Sequence, residues 1–156
     1  MTSDDFRITR RNLPHWQLSG SVYFVTFRVH QGELNTEERN IIFNAVKHFH
    51  SKRYWIWASV IMPDHVHLLL QLTSDANEKN ITLGKALQGI KGYTGYEINK
   101  SRNTRGKFWQ EESFDRIVRD EEELREKWNY IRNNPVKKNL ADTPENYAFL
   151  WEPGPP

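Results

Sequence analysis

The stretch YWIWASVIMPDHVHLLLQL, residues 54–72, predicts two β-strands joined by a turn. Its first half is rich in aromatic and β-branched residues, and Pro63 and Asp64 then lead into an apolar run. The two halves, 54–62 and 65–72, are expected to pair as a hairpin. Strands in a small core rarely carry two histidines one residue apart, so His65 and His67 need an explanation.

The segments on either side of this hairpin predict further strands and helices. In chain order, the predicted elements are a strand at 21–29, a helix at 35–52, the hairpin, a helix at 81–101, a strand at 113–120 and a helix at 120–134. Pro135 is expected to end the last helix. In the first strand, the face that carries Val25 and Phe27 is the more apolar and should meet the core. The order predicts an α+β fold: a ferredoxin-like antiparallel sheet (β-α-β-β-α-β) with helices on one face and an extra C-terminal helix.

The composition predicts one domain over residues 1–156, with a basic N-terminal arm at 1–20 and a C-terminal tail at 141–156. The tail is expected to be irregular, with its aromatic residues packed back on the domain. The formal net charge is only +2, so overall charge does not indicate a nucleic-acid binder. The absence of cysteine excludes disulfides, thiolate metal sites and cysteine nucleophiles. No apolar run resembles a signal peptide or a membrane span, so we expect a cytoplasmic protein without a membrane partner.

The two histidines project from the same face of their strand, because side chains two residues apart point the same way. Two imidazoles side by side on a sheet can chelate one divalent metal. The alternative is two structural histidines, one at the strand edge and one half-buried. Two histidines are also an incomplete metal site, so a third ligand is needed.

The last predicted helix carries side chains that could complete this site. At about 100° per residue, Leu124, Trp128 and Ile131 form a core stripe. Tyr130 and Asn134 share a face beside that stripe, one turn apart. A phenol and a carboxamide placed in this way could both meet a metal held on the sheet. The alternatives are a boundary aromatic at Tyr130 and a helix cap at Asn134.

Three segments of the sequence together resemble a known family. VIMPDHVHLLL, residues 60–70, resembles the His-hydrophobic-His metal motif of single-strand DNA transposases that carry one catalytic tyrosine. FWQEESFDRIVRDEEELREKWNYIRNNPVKKNL, residues 108–140, resembles the C-terminal half of the REP-associated tyrosine transposases. RRNLPHWQLSGSVYFVTFRVH, residues 10–30, is similar to the N-terminal opening of that branch. The resemblance covers about residues 7–150, nearly the whole chain.

The resemblance implies a ferredoxin-like fold, in agreement with the predicted strand order. It implies that His65 and His67 bind a metal, that Asn134 is the third metal ligand and that Tyr130 is the nucleophile. The implied metal is Mg²⁺ or Mn²⁺. The implied activity cuts and rejoins single-stranded DNA beside a hairpin, such as a repetitive extragenic palindrome, through a covalent 5′-phosphotyrosine. The protein would act as a monomer or a homodimer, in the cytoplasm and on the nucleoid.

Basic side chains cluster in four regions and are candidates for DNA contacts. The candidates are Arg7, Arg10, Arg11, Arg102, Arg105, Lys107, Arg116, Arg119, Arg132, Lys137 and Lys138. In KSRNTRGKFW, residues 100–109, basic residues run into two aromatic residues, which suits phosphate contact combined with base stacking. An ordinary solvated loop is the alternative for this segment.

Two other functions fit parts of the sequence. A hairpin-binding protein that no longer cuts DNA would keep the basic clusters. An RNA-binding module of the same architecture would stack bases on exposed aromatics of a strand such as YWIWAS, residues 54–59. Within the transposase interpretation, Tyr93 is the rival nucleophile, on or near the second predicted helix.

Overall fold

The computed structural model of the protein describes residues 20–72 and 82–156. In chain order the elements are β1 (Val22–Arg28), α1 (Thr36–Phe49), β2 (Tyr54–Ile61), β3 (His65–Leu72), α2 (Leu83–Arg102), β4 (Phe114–Ile117), α3 (Glu121–Lys137), a 3₁₀ turn (Pro144–Asn146) and β5 (Leu150–Trp151). None of these helices is long and apolar enough to cross a membrane, within the residues that the structure describes.

The strands form one sheet in the order β4-β1-β3-β2-β5, and every neighbouring pair is antiparallel. Its first four positions have the ferredoxin-like order that the sequence predicted, and the hairpin of β2 and β3 is confirmed. The tail differs from the prediction of an irregular segment, because it forms a 3₁₀ turn and adds β5 to the edge of β2. Its aromatics do pack back on the domain, since Tyr147 and Phe149 are buried.

The helices cover both faces of the sheet. Helices α1 and α2 lie on one face, where Tyr54 donates to the Val46 carbonyl (3.2 Å) and Trp109 donates to the Thr94 hydroxyl (3.0 Å). Helix α3 lies on the opposite face, where the Trp128 ring meets the Trp57 ring edge-on at 6.0 Å. The prediction that one face of β1 meets the core was therefore incomplete, because Val22 and Phe24 on its other face are buried as well as Val25 and Phe27.

Helix α3 begins at Asp120, whose carboxylate accepts a hydrogen bond from the Glu123 backbone N–H (2.8 Å). The predicted stripe of Leu124, Trp128 and Ile131 is buried. The prediction that Pro135 ends the helix was wrong, because the helix continues to Lys137. A proline this close to a C-terminus removes only one ladder hydrogen bond, and Lys138 N–H still donates to the Asn134 carbonyl (3.0 Å). As a result, Asn134 keeps its helical geometry one turn after Tyr130.

Candidate active site

Strand β3 places His65 and His67 on the face that α3 covers. Both side chains are buried, and their ring centroids lie 4.7 Å apart. His65 Nδ1 lies 2.6 Å from Asp64 Oδ1, and His67 Nδ1 lies 2.7 Å from the Thr26 hydroxyl oxygen. With a proton on Nδ1 of each ring, the two Nε2 atoms present lone pairs. This is how oxygen partners orient histidines that bind metals.

Two buried polar atoms, one on β3 and one on α3 a turn after Tyr130, have no partner among the described residues. His67 Nε2 and Asn134 Oδ1 are both buried and make no hydrogen bond with the described part of the chain. Such atoms are costly to bury, so they call for an explanation. A cation bound by the two imidazoles and the carboxamide oxygen would satisfy both, so these residues fit a divalent metal. No group of three or more His, Cys, Asp or Glu that could hold a metal occurs in residues 20–72 and 82–156. The fit therefore depends on the amide of Asn134.

The histidines are held in the neutral form that binds metals. Burial lowers the pKa of His67 to about 3, and repulsion from Arg28, and from His65 when that ring is protonated, acts in the same direction. Burial also lowers the pKa of His65, against the opposing effect of the Asp64 carboxylate. Among the described residues, Asp64 supplies the carboxylate charge that acts on His65, and the neutral imidazoles add none.

Helix α3 places Tyr130 at the border of this site. Its ring lies edge-on to His67 (5.2 Å between centroids) and to Phe24 (5.8 Å), and its side chain is 49% exposed. The hydroxyl group is thus beside the candidate metal ligands and open to a substrate. The rival Tyr93 is equally exposed, at 51%, but it lies on α2 and lines a groove with Ile41 and Phe49 on the other side of the sheet. The structure therefore brings Tyr130, and not Tyr93, to the histidines.

Two cations stand close to the histidines. Arg28 is the register partner of His65 in the β1–β3 ladder, so its exposed side chain leaves the same face of the sheet. Lys138, just beyond α3, is near enough to contribute to the lowered pKa of His65. Arg28 was not among the predicted DNA contacts. The alternation of β1 put it on the face of Phe24 and Thr26, but only the pairing register places it opposite His65.

The predicted DNA contacts fall into three groups. Arg7, Arg10 and Arg11 lie outside the described residues. The exposed candidates are Arg105, Lys107, Arg116, Arg119, Lys137 and Lys138. Of these, Lys107 lies 3.6 Å from Glu111, and Arg116 donates to Glu123 (2.5 Å).

Arg102 and Arg132 form the third group, because each is held by carboxylates of the protein. Arg102 Nη2 donates to the buried Glu38 (2.9 Å), and this pair ties α2 to α1. Arg132 Nη1 donates to Glu152 (2.6 Å), and Arg132 also binds Glu145. These contacts give both arginines a structural role that their position in basic clusters did not indicate.

Comparison with known proteins finds a matching family model, a similar sequence and a similar solved structure. The sequence model of the family described as "Transposase IS200 like" matches residues 25–134, a span that contains both histidines, Tyr130 and Asn134. A Haemophilus influenzae sequence, provisionally named a REP-associated tyrosine transposase, is 26% identical over 97 residues, which are 59% of this chain and 55% of that one. The chain thus spans about half the length of this curated relative.

A solved structure of a REP-associated tyrosine transposase bound to a REP hairpin superimposes with a TM-score of 0.70. The match covers 88% of this chain and 79% of the other, at 20% sequence identity. At this identity the likeness establishes the fold.

Proposed function

Since the chain belongs to the family of IS200-like transposases, we propose that it is a metal-dependent endonuclease and strand transferase for single-stranded DNA. Its substrate would be DNA next to a hairpin, and the reaction would pass through a covalent 5′-phosphotyrosine. The observation that carries this proposal is a pair of buried atoms without a partner in residues 20–72 and 82–156, His67 Nε2 beside the half-exposed Tyr130, and Asn134 Oδ1 one helical turn after it.

The cation would be held by Nε2 of His65, Nε2 of His67 and Oδ1 of Asn134. Mg²⁺ or Mn²⁺ is proposed from the family, since this donor set would also accept zinc. When bound, the ion neutralises charge on the scissile phosphate and orients it. Thr26 and Asp64 hold the two imidazole rings in position from behind.

Tyr130 is the proposed nucleophile. Its oxygen attacks the phosphorus and loses its proton, the bond from phosphorus to the 3′ oxygen breaks, and that oxygen leaves as a 3′-OH after taking up a proton. The phosphodiester energy is kept in the phosphotyrosine bond. A second 3′-OH can therefore attack the same phosphorus, rejoin the DNA and release Tyr130.

Arg28 and Lys138 are proposed to contact the scissile phosphate. Both lie beside histidines that are neutral, so two positive charges and a bound cation would stand together, and the Asp64 carboxylate beside His65 would balance one of them. A phosphodiester group supplies the missing negative charge. Guanidinium groups also bind phosphate with two parallel hydrogen bonds, which fixes its orientation.

The proposed partner is a DNA hairpin, such as a repetitive palindrome. The structurally similar transposase is bound to a REP hairpin, and this chain carries exposed cations at Arg105, Arg119 and Lys137. A monomer or a homodimer, acting on DNA in the cytoplasm, is consistent with this proposal.

The alternatives differ in their support. A hairpin binder that does not cut would need the same exposed cations but no partner for His67 Nε2. The RNA-binding alternative required paired exposed aromatics on the strand at 54–59. Tyr54 and Trp57 are buried there, and the half-buried Trp55 donates its indole N–H to the Gly154 carbonyl. That alternative therefore loses the feature that suggested it.

A nicking assay on single-stranded hairpin oligonucleotides tests the proposal. We expect Mn²⁺-dependent cleavage by the wild type, loss of cleavage with EDTA, and loss in Tyr130→Phe. Tyr93→Phe is the matched control, since it removes a similarly exposed hydroxyl on the other side of the sheet. Retained hairpin binding without cleavage by the wild type would favour the non-cutting binder.

A further inference from the structure

The face of the sheet that carries the histidines is only partly covered. Helix α3 packs on β2 and β3 and covers Phe24 of β1, so the open part of that face lies at β4. On β4, Phe114 is the register partner of Thr26, and its side chain is 59% exposed. The open part of this face therefore carries an exposed aromatic ring on the edge strand.

This ring is connected to the candidate nucleophile by aromatic contacts. Phe114 lies edge-on to Phe24, with 6.4 Å between ring centroids, and Phe24 lies edge-on to Tyr130 at 5.8 Å. Lys127 Nζ stands 5.0 Å from the centroid of the Phe24 ring, one turn before Tyr130 on α3. A ligand on Phe114 would thus be one ring away from the reacting hydroxyl group.

A groove of about 480 Å³ lies between β4 and the first turns of α3. Phe114 and Arg116 line its β4 side, and the opposite side is lined by Asp120, Glu122, Glu123, Glu126 and Lys127. Arg116 donates to Glu123 on α3 (2.5 Å), so this contact joins the two walls. The groove is therefore lined by charged side chains and by one apolar ring, that of Phe114.

The charges of the groove select which part of a DNA strand can enter it. The carboxylates of Glu122 and Glu126 repel phosphate, and they accept hydrogen bonds but cannot donate them. An exocyclic amino group of cytosine, adenine or guanine is a suitable donor to a carboxylate, and thymine has no such group. Lys127 lies toward Tyr130, where the sugar-phosphate backbone of the strand would pass.

We propose that this groove holds one unpaired nucleobase of the substrate strand next to the scissile phosphate, stacked on Phe114, and that it favours a base with an exocyclic amino group. The proposal deepens the function proposed above and rests on Tyr130 being the nucleophile. Stacking on one aromatic side chain is worth about tenfold in affinity. The base in the groove would fix which phosphate meets Tyr130.

The test measures affinity without metal, so that it does not depend on cleavage. The probe is the hairpin oligonucleotide that the wild type binds most tightly in EDTA, from a pool with randomised single-stranded flanks. Abasic sites are then placed at each flank position in turn. An abasic site at one of these positions is expected to lower the affinity of the wild type about tenfold. Phe114→Ala should lose about tenfold on the intact strand and be insensitive to that same abasic site, whereas Phe114→Trp should keep the wild-type pattern.

Tyr96→Ala is the matched control, because Tyr96 is 66% exposed on α2, on the opposite side of the sheet. It should keep the wild-type abasic pattern. At the sensitive position, thymine should bind more weakly than cytosine, and Glu122→Gln with Glu126→Gln should reduce that preference.

Three results would overturn the groove proposal. The first is that Phe114→Ala has the same abasic pattern as the wild type. The second is that Tyr96→Ala changes this pattern as much as Phe114→Ala does. The third is that the wild type binds no member of the pool. The last result would also overturn the proposed function. A sensitive position in a protein that never cleaves DNA would contradict the proposed function and leave only the stacking of a base on Phe114 standing.

Discussion

Thr26 and His67 face each other on adjacent antiparallel strands, and the Thr26 hydroxyl oxygen lies 2.7 Å from His67 Nδ1. This contact fixes the ring of His67 and turns Nε2, which has no partner within the described ranges 20–72 and 82–156, toward α3. Asp64 holds His65 through Nδ1 in the same manner. The two histidines of the proposed metal site are therefore oriented by two residues that are not proposed as ligands.

Removal of the Thr26 hydroxyl should weaken metal binding. Thr26→Val keeps the size and branching of the side chain, and loss of such an outer contact raises a metal Kd about 10- to 100-fold. A Mn²⁺ titration followed by electron paramagnetic resonance gives the Kd. Thr94→Val is the control, since it removes a buried hydroxyl on α2. Equal Mn²⁺ affinity in the wild type and Thr26→Val would contradict this role.

Asn134 should lower the stability of the metal-free protein and contribute to metal binding. Its Oδ1 is buried without a partner in the described residues, a situation that costs about 1–3 kcal/mol. Asn134→Leu should therefore raise the free energy of unfolding in EDTA by about 1 kcal/mol and abolish the further stabilisation by Mn²⁺. Urea denaturation with and without Mn²⁺ measures both quantities. If Mn²⁺ stabilises Asn134→Leu as much as the wild type, Asn134 is not a ligand.

Arg28 should act through the charge of one phosphate. Its position opposite His65 leads us to expect that Arg28→Gln slows cleavage by about 10-fold or more, as for loss of a charge-assisted contact. Arg28→Gln should also bind DNA more weakly than the wild type. A neutral methylphosphonate at the scissile position should make the two proteins bind DNA equally. Methylphosphonates elsewhere should leave the difference intact. An Arg28→Gln defect that is the same on every substrate would indicate a structural role.

Arg102 should contribute to stability rather than to DNA affinity. It binds the buried Glu38, so Arg102→Met should cost about 3 kcal/mol of unfolding free energy by leaving a buried carboxylate without its cation. The hydrogen bond from Arg102 holds the pKa of Glu38 below its ordinary value of 4.5. The stabilisation from this lowered pKa is complete above pH 4.5 and disappears as the pH falls through the lower folded value.

The measurement for this pair is urea denaturation of the wild type and Arg102→Met at several pH values. The difference between the two proteins should be largest near neutral pH and should shrink in acid, as Glu38 becomes protonated. Lys137→Met serves as the control, because Lys137 is an exposed cation on α3. A large loss of hairpin affinity in Arg102→Met, with unchanged stability, would restore Arg102 as a DNA contact.

The sequence predicted the elements better than the relations between them. Alternation placed His65 and His67 on one face, and helical spacing placed Tyr130 and Asn134 together, because both patterns depend only on neighbouring residues. Thr26, Arg28 and Phe114 required the register of strands far apart in the chain, which packing determines.

The same limit explains the errors among the charged residues and at the helix end. Arg102 and Arg132 looked like members of basic clusters, and their partners Glu38 and Glu152 are distant in sequence. The conformational preference of proline predicts a helix end at Pro135, but its buried position within α3 outweighs the loss of one hydrogen bond.

The most direct test of the central claim is to locate the covalent bond. Wild-type protein would be incubated with single-stranded hairpin oligonucleotides and Mn²⁺, digested, and analysed by mass spectrometry for a peptide that carries a nucleotide. The account predicts a 5′-phosphate adduct on Tyr130, which is lost with EDTA and in Tyr130→Phe. An adduct on Tyr93, or cleaved DNA with no adduct on any tyrosine, would contradict it.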